Sequence, residues 1–549
     1  MMHRSAIRSA SPVGTHATSH YGYSTEAEAG VEGEKRELKD YDEGIARLRV
    51  RVMTESTENR PSPISEVPDE IWDHIFTELC SSHDYTLSYT VGKEKHVESP
   101  ALVLSQVCSQ WRNVARSRPQ LWSSISVDIF QSSHDIRFLL EVYFTNSKDR
   151  PLKLRIADFL PGLDDLSGPA VTCEEYFGRN GFMAFQLLLQ QASRWQELFL
   201  NDVHWRLLAL PDHPEVSFST LQHFTCLADM DAVVDDTRWF WNSIAKAPNL
   251  VDADLNSLMD LDVIPYSQVT SLSIDAVDDL GDLCQTLQMC TMLEQLLIDD
   301  CDLAVIENEL PPEVVLPNLQ RLCLNAASVS KLEPIFTLLT TPSLNDLEVD
   351  CRSGSDRTPD VGVMEWSLSP LERLLKRSEC SLETLTIMLP ASLYLTRQSL
   401  EGLLKETPNL QSMFISFHPL QGSALNTSTL FSMLELSPPE HSWDPPQLES
   451  LGLVPRLDAL FIHEQGAVID SKITDIALDM LESRSKIRFI DKSGLVSSKV
   501  AIVDFRDKVI DRRNVCEYLE LKPVPFGKAV LNRLYALQRY GPTAFAAYS

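Results

Sequence analysis

The sequence predicts an α/β protein: a small all-α block near the N-terminus, followed by a long curved array of stacked strand–helix units. Two patterns predict this. Between Asp69 and Arg116 the apolar residues recur at helical spacing, and from about residue 195 onward a short strand-like apolar pattern recurs many times. Composition agrees with a globular chain, since 44% of the 549 residues are hydrophobic and 23% are charged.

Residues 1–34 are small and polar, with nothing to bury, and read as disordered. Residues 35–60 read as a charged helix, with Leu38, Ile45, Leu48 and Val52 on a rough stripe, and a polar linker. The next block, 61–128, holds two amphipathic helices. In the first, Asp69 to Leu79, the residues Ile71, Trp72, Ile75, Phe76 and Leu79 share an arc of about 140 degrees. Pro68 suits the start of that helix, and Asp69 and Glu70 suit its positive end. In the second, Val103 to Arg116, the residues Val103, Leu104, Val107, Cys108, Trp111, Val114 and Ala115 cluster likewise. The polar segment between them, with Gly92 and Pro100, reads as a loop.

From residue 129 to 549 the second pattern takes over. Its clearest copies are PNLQRLCL (317–324), PSLNDLEV (342–349), PNLQSMFI (408–415) and PQLESLGL (446–453), which share the spacing L-x-x-L-x-L, with Met, Ile or Val standing in for Leu at some positions, and a proline two residues ahead. Weaker copies are WQELFL (195–200), LQHFTC (221–226), LVDADL (250–255), VTSLSI (269–274), LEQLLI (293–298) and LETLTI (382–387). The first apolar positions, from 195 to 448, lie about 28 residues apart on average. That is the spacing of leucine-rich repeats, in which one strand and one helix per unit hide their apolar faces only by stacking. SSISVDI (123–129) and PLKLRI (151–156) begin the array. The stretches 353–362 and 426–446 read as insertions. ITDIALDMLESR (473–484), VSSKVAIVDF (496–505) and AVLNRLYALQRYG (529–541) read as final units and a C-terminal cap.

Several function classes are disfavoured. The formal net charge is −30, the opposite of the basic footprint that nucleic acid or an anionic membrane surface requires. No apolar run reaches membrane-spanning length, and the N-terminus lacks the apolar core of a secretory signal. The 11 cysteines are odd in number and form no C-x-x-C pair. Cys226, Cys301, Cys323 and Cys351 sit in apolar runs as small hydrophobes, pointing to a reducing compartment, cytoplasm and/or nucleus. No nucleophile elbow, phosphate loop, dinucleotide fingerprint or zinc-protease motif occurs, so no enzyme and no cofactor is expected. Cys80 and His83 lack a second metal-ligating pair nearby. Asp299 and Asp300 read as solvated charges at a strand end. Asn426-Thr427-Ser428 matches a glycosylation acceptor expected to be unused.

Three pieces of the helical block, ISEVPDEIWDHIFTEL (64–79), LVLSQVCSQWRNVA (102–115) and PQLW (119–122), together closely resemble an F-box. The departures are Val67 in place of a leucine before Pro68 and a longer insertion between Leu79 and Leu102. The wording is similar to F-box proteins of mushroom-forming fungi, which carry degenerate leucine-rich repeats. The resemblance implies a non-catalytic subunit of an SCF-type (Skp–cullin–F-box) ubiquitin ligase. Its F-box would bind the Skp-family adaptor, and through it cullin, while the repeats bind a protein target for ubiquitination. It further implies that the adaptor-contact positions are drawn from Val67, Pro68, Ile71, Ile75, Phe76, Leu104, Val107, Cys108 and Trp111. Leu104 and Trp111 could equally pack the helices together; Pro68 and Ile71 are favoured for the interface. Target readers would be strand positions Gln320, Arg321, Asn345, Asp346, Gln411, Ser412, Glu449 and Ser450, and the acidic balance points toward basic or polar targets. The alternative is a leucine-rich-repeat interaction scaffold without a ligase role.

Overall fold

The computed structural model describes residues 67–81, 84–91, 95–130, 132, 134–157, 173–201, 216–227, 237–259, 263–301, 312–326, 328–351, 364–390, 392–417, 425–436, 453–457, 459–464, 475–477, 479–480, 483, 488–491, 494–497, 501–504 and 545–547. The chain divides into two compact units, Met1–Trp72 and Asp73–Ser549. Within the first unit the described residues are 67–72, and the stretches 1–34 and 35–60 lie outside them.

The second unit is α/β, built on one large, mostly parallel sheet. Its strands in chain order are β1 (Leu87–Val91), β2 (Lys95–Glu98), β3 (Ser124–Asp128), β4 (Leu152–Ala157), β5 (Trp195–Asn201), β6 (His223–Leu227), β7 (Asp252–Ser257) and β8 (Ser271–Val277). They continue as β9 (Gln295–Cys301), β10 (Arg321–Asn325), β11 (Asp346–Asp350), β12 (Thr384–Met388), β13 (Ser412–Phe417), β14 (Ala459–Glu464), β15 (Ala501–Asp504) and β16 (Phe545–Ala547). From β3 onward, spatial order follows chain order, β1 lies beside β3, and β2 forms the outer edge. The β1–β2 pairing is antiparallel; every other pairing in this sheet is parallel.

Consecutive parallel strands need a crossover, and helices supply most of them. In chain order α1 (Asp69–Ser81), α2 (Pro100–Val107) and α3 (Ser109–Ser117) precede β3, and α4 (Arg137–Ser147), α5 (Cys173–Leu189), α6 (Arg238–Ile244), α7 (Leu280–Met289), α8 (Glu333–Leu338), α9 (Ser369–Ser378), α10 (Arg397–Lys405) and α11 (Thr427–Leu434) lie between strands. Their starts follow local chemistry. Asp279 accepts from the amides of Gly281 and Asp282 at 2.6 and 3.0 Å to cap α7, and Thr396 accepts from the Ser399 amide at 3.3 Å to cap α10. Gly178 (φ 70°) lets α5 kink. Gly181 lets the same helix approach the backbone just after β3, since a Cβ there would lie 1.9 Å from the Ile129 carbonyl oxygen.

The apolar positions of the repeated pattern form continuous buried columns. One runs Leu296–Leu322–Leu347–Leu385–Met413–Leu460 through successive strand registers. All six are at most 1% exposed. Burying a leucine of this kind contributes roughly 1.5–3 kcal/mol. The backbone repeats as well. The carbonyls of Thr270, Glu294, Gln320, Asn345 and Glu383 each accept from two consecutive amides at the next strand's entry, such as Asn345 and Asp346 onto Gln320 at 2.9 and 3.0 Å. The prolines of the pattern also have a reason. Pro317, Pro342 and Pro408 each sit second in a turn closed by the following leucine's amide, as Leu344 closes onto Thr341 at 3.2 Å, and proline pre-sets φ there. Arg377 of α9 ties neighbouring strand–helix repeats of the second unit together, with Nη2 donating to the carbonyls of Phe336 (2.8 Å) and Leu339, Nε donating to Thr340 (2.9 Å), and an ion pair to Glu313 (3.3 Å).

The structure differs from the expectations at four places. PQLESLGL does not supply the strand beside β13: residues 446–452 lie outside the described set, and the strand there is β14 (Ala459–Glu464), led in by the sequence from 454 onward. That segment carries the same pattern, Pro455, Leu457, Leu460 and Ile462, with Ser412 opposite Ala459. The stretch 426–446, read as an insertion, contains crossover helix α11, which Asn426 caps by accepting from the Thr429 amide at 2.8 Å. The segment between the two N-terminal helices is a hairpin rather than a loop, because Leu87, Tyr89 and Val91 alternate with polar residues and β1 pairs with β3, Leu87 opposite Ile125. The large sheet therefore runs across the boundary expected at residues 128 and 129. Finally, the second amphipathic helix is two helices, described next. Of the expected tail units, VSSKVAIVDF holds β15, whereas 529–541 lies outside the described residues.

Candidate partner-docking surface

Helix α1 spans Asp69–Ser81, with Asp69 and Glu70 in its first turn. The Pro68 carbonyl accepts from the Ile71 amide at 3.1 Å. Its wide apolar arc is divided: Trp72 and Phe76 are buried, at 9% and 0%, while Ile71, Ile75 and Leu79, four residues apart, are exposed at 51%, 44% and 46%. The expected single helix from Val103 to Arg116 breaks at Cys108 into α2 (Pro100–Val107) and α3 (Ser109–Ser117). Cys108 is extended (φ −154°, ψ 174°), and its sulfur accepts from the Trp111 amide at 3.4 Å, capping α3. On α2, Leu104 is buried while Val103 and Val107 are exposed at 63% and 57%.

Two contacts set α1 antiparallel to α3. Asp73 pairs with Arg118 at 2.6 Å, and Phe76 meets Trp111 edge-on with ring centroids 5.2 Å apart. The run therefore carries Leu79 toward the α2–α3 junction, where Val107 ends α2. Trp122 anchors the block from below by donating Nε1–H to the Ala115 carbonyl at 2.8 Å and packing edge-on against Tyr143. The Tyr143 hydroxyl donates to the Thr86 carbonyl at 2.5 Å and bonds the Ser99 hydroxyl at 2.9 Å, and burial pushes its phenol pKa up. Helices, hairpin and first strands of the second unit thus share one core.

This geometry sorts the nine implied contact residues. Pro68, Ile71, Ile75 and Val107 are exposed; Val67, Cys108 and Trp111 are half-buried; Phe76 and Leu104 are core. The implied set omits Leu79 and Val103, both more exposed than Ile75. Both lay on the apolar arcs, and that was their only signal in the sequence.

The other singled-out residues have structural employment. Cys226, Cys301, Cys323 and Cys351 are buried, and burial pushes the thiols of Cys301 and Cys351 up to about 12. Asp299 is half-buried within β9 and accepts from the Asn325 side chain at 2.5 Å, so it is not a fully solvated strand-end charge; Asp300 is exposed. His83 lies outside the described residues, and among the described residues no group of histidine, cysteine and carboxylates could hold a metal ion. No described helix is long and apolar enough to cross a membrane.

Of the expected target readers, Gln320 and Arg321 are exposed, Asn345, Asp346, Gln411 and Ser412 are half-buried, and Glu449 and Ser450 lie outside the described residues. Arg321 is shared between Asp346 and Glu348 of the neighbouring strand, each at 3.4 Å. On the same side of the sheet Asp275 is raised from 3.8 to about 6, by burial first and then by Asp254 and Asp299. A raised carboxylate pKa stabilises the fold while the group is protonated. That contribution is whole below about pH 4 and is lost as pH rises through about 6. Asp275→Asn is expected to raise stability above pH 6 by about 1 kcal/mol, a value reduced for solvent screening, and to be neutral below pH 4. Denaturant melts of both proteins at pH 4 and pH 7.5 check this; equal differences at the two pH values would refute it.

No protein-family model matches this chain, and no curated protein matches it.

Proposed function

We propose that the chain is the substrate-recognition subunit of an SCF-type ubiquitin ligase. The α1–α3 block acts as an F-box that docks a Skp-family adaptor, and the strand–helix units act as a leucine-rich-repeat solenoid that holds a protein target. Catalysis belongs to other subunits of the ligase. The observation that carries the reading is the row of exposed apolar side chains Ile75 and Leu79 on α1 and Val103 and Val107 on α2. Scattered exposed apolar residues are ordinary, but pairs spaced four residues apart on two helices that follow one another in the chain support an interaction site. The row falls inside the segments that resemble the F-box, and the faces turned away from it are spent on the core through Phe76 and Leu104. The in-order parallel sheet with continuous leucine columns supports the solenoid reading, because such units bury their faces only against neighbours.

Co-expression of the full chain with a Skp-family adaptor tests the proposal. A one-to-one complex that survives gel filtration is the expected result. A folded chain that elutes without the adaptor would leave the interaction-scaffold reading in its place.

A further inference from the structure

We draw no further inference here: the strongest candidate, the cluster of Asp254, Asp275 and Asp299 on the half-exposed face of strands β7 to β9, is a group of acidic side chains for which nothing else in the structure points to a bound cation or a basic partner.

Discussion

Ile75→Asp is expected to abolish adaptor binding while the chain stays folded. Ile75 is 44% exposed, so in the free protein the new carboxylate remains in water. In the complex it would be buried against apolar surface without a partner, and desolvating such a charge costs several kcal/mol. A loss of at least about 100-fold in affinity follows, since each 1.4 kcal/mol is tenfold. Calorimetric titration gives the affinity and circular dichroism the fold. A variant that binds normally would remove Ile75 from the interface, and one that unfolds would show the residue to be core.

Phe76→Ala, one position further along the same helix, is expected to do the reverse. Phe76 is fully buried and packs edge-on against Trp111. Truncating such a ring leaves a cavity and costs about 3–5 kcal/mol. Stability should fall by that amount in denaturant melts, and adaptor affinity should fall only through the unfolded fraction. Unchanged stability with lost binding would place Phe76 in the interface after all. The neighbouring pair thus separates two roles that a helical wheel assigns to one stripe.

That separation explains how much of the docking surface was legible in the sequence. The apolar arcs of α1 and α2 were plain from spacing, and Leu79 and Val103 lay on them. Which members of an arc face the core depends on what packs beside the helix. Here that is α3, brought close by Phe76–Trp111 and Asp73–Arg118. Spacing within one segment carries no information about that neighbour. The same limit hid the break at Cys108, where an extended residue and a sulfur cap interrupt a sequence whose periodicity continues through it.

Much of the sheet was readable, for the opposite reason. The copies at 195, 221, 250, 269, 293, 319, 344, 382 and 410 each lead into a strand, because a local alternation of buried and half-buried positions is all that a one-face-buried strand needs. The last copy shows where local pattern fails. PQLESLGL and Val454–Ile462 both carry the proline and the apolar triplet, and only the pairing with β13 chooses the second. The hairpin was missed differently: Leu87, Tyr89 and Val91 alternate, but the surrounding charge and Gly92 hid a strand whose partner, β3, lies 38 residues further on, Leu87 opposite Ile125.

Amide hydrogen exchange of the full chain with and without the Skp-family adaptor tests the docking surface most directly. The account predicts slowed exchange in α1 and α2, with the strands β5 to β13 unchanged. Protection confined to the strands, with α1 and α2 exchanging as in the free chain, would contradict it.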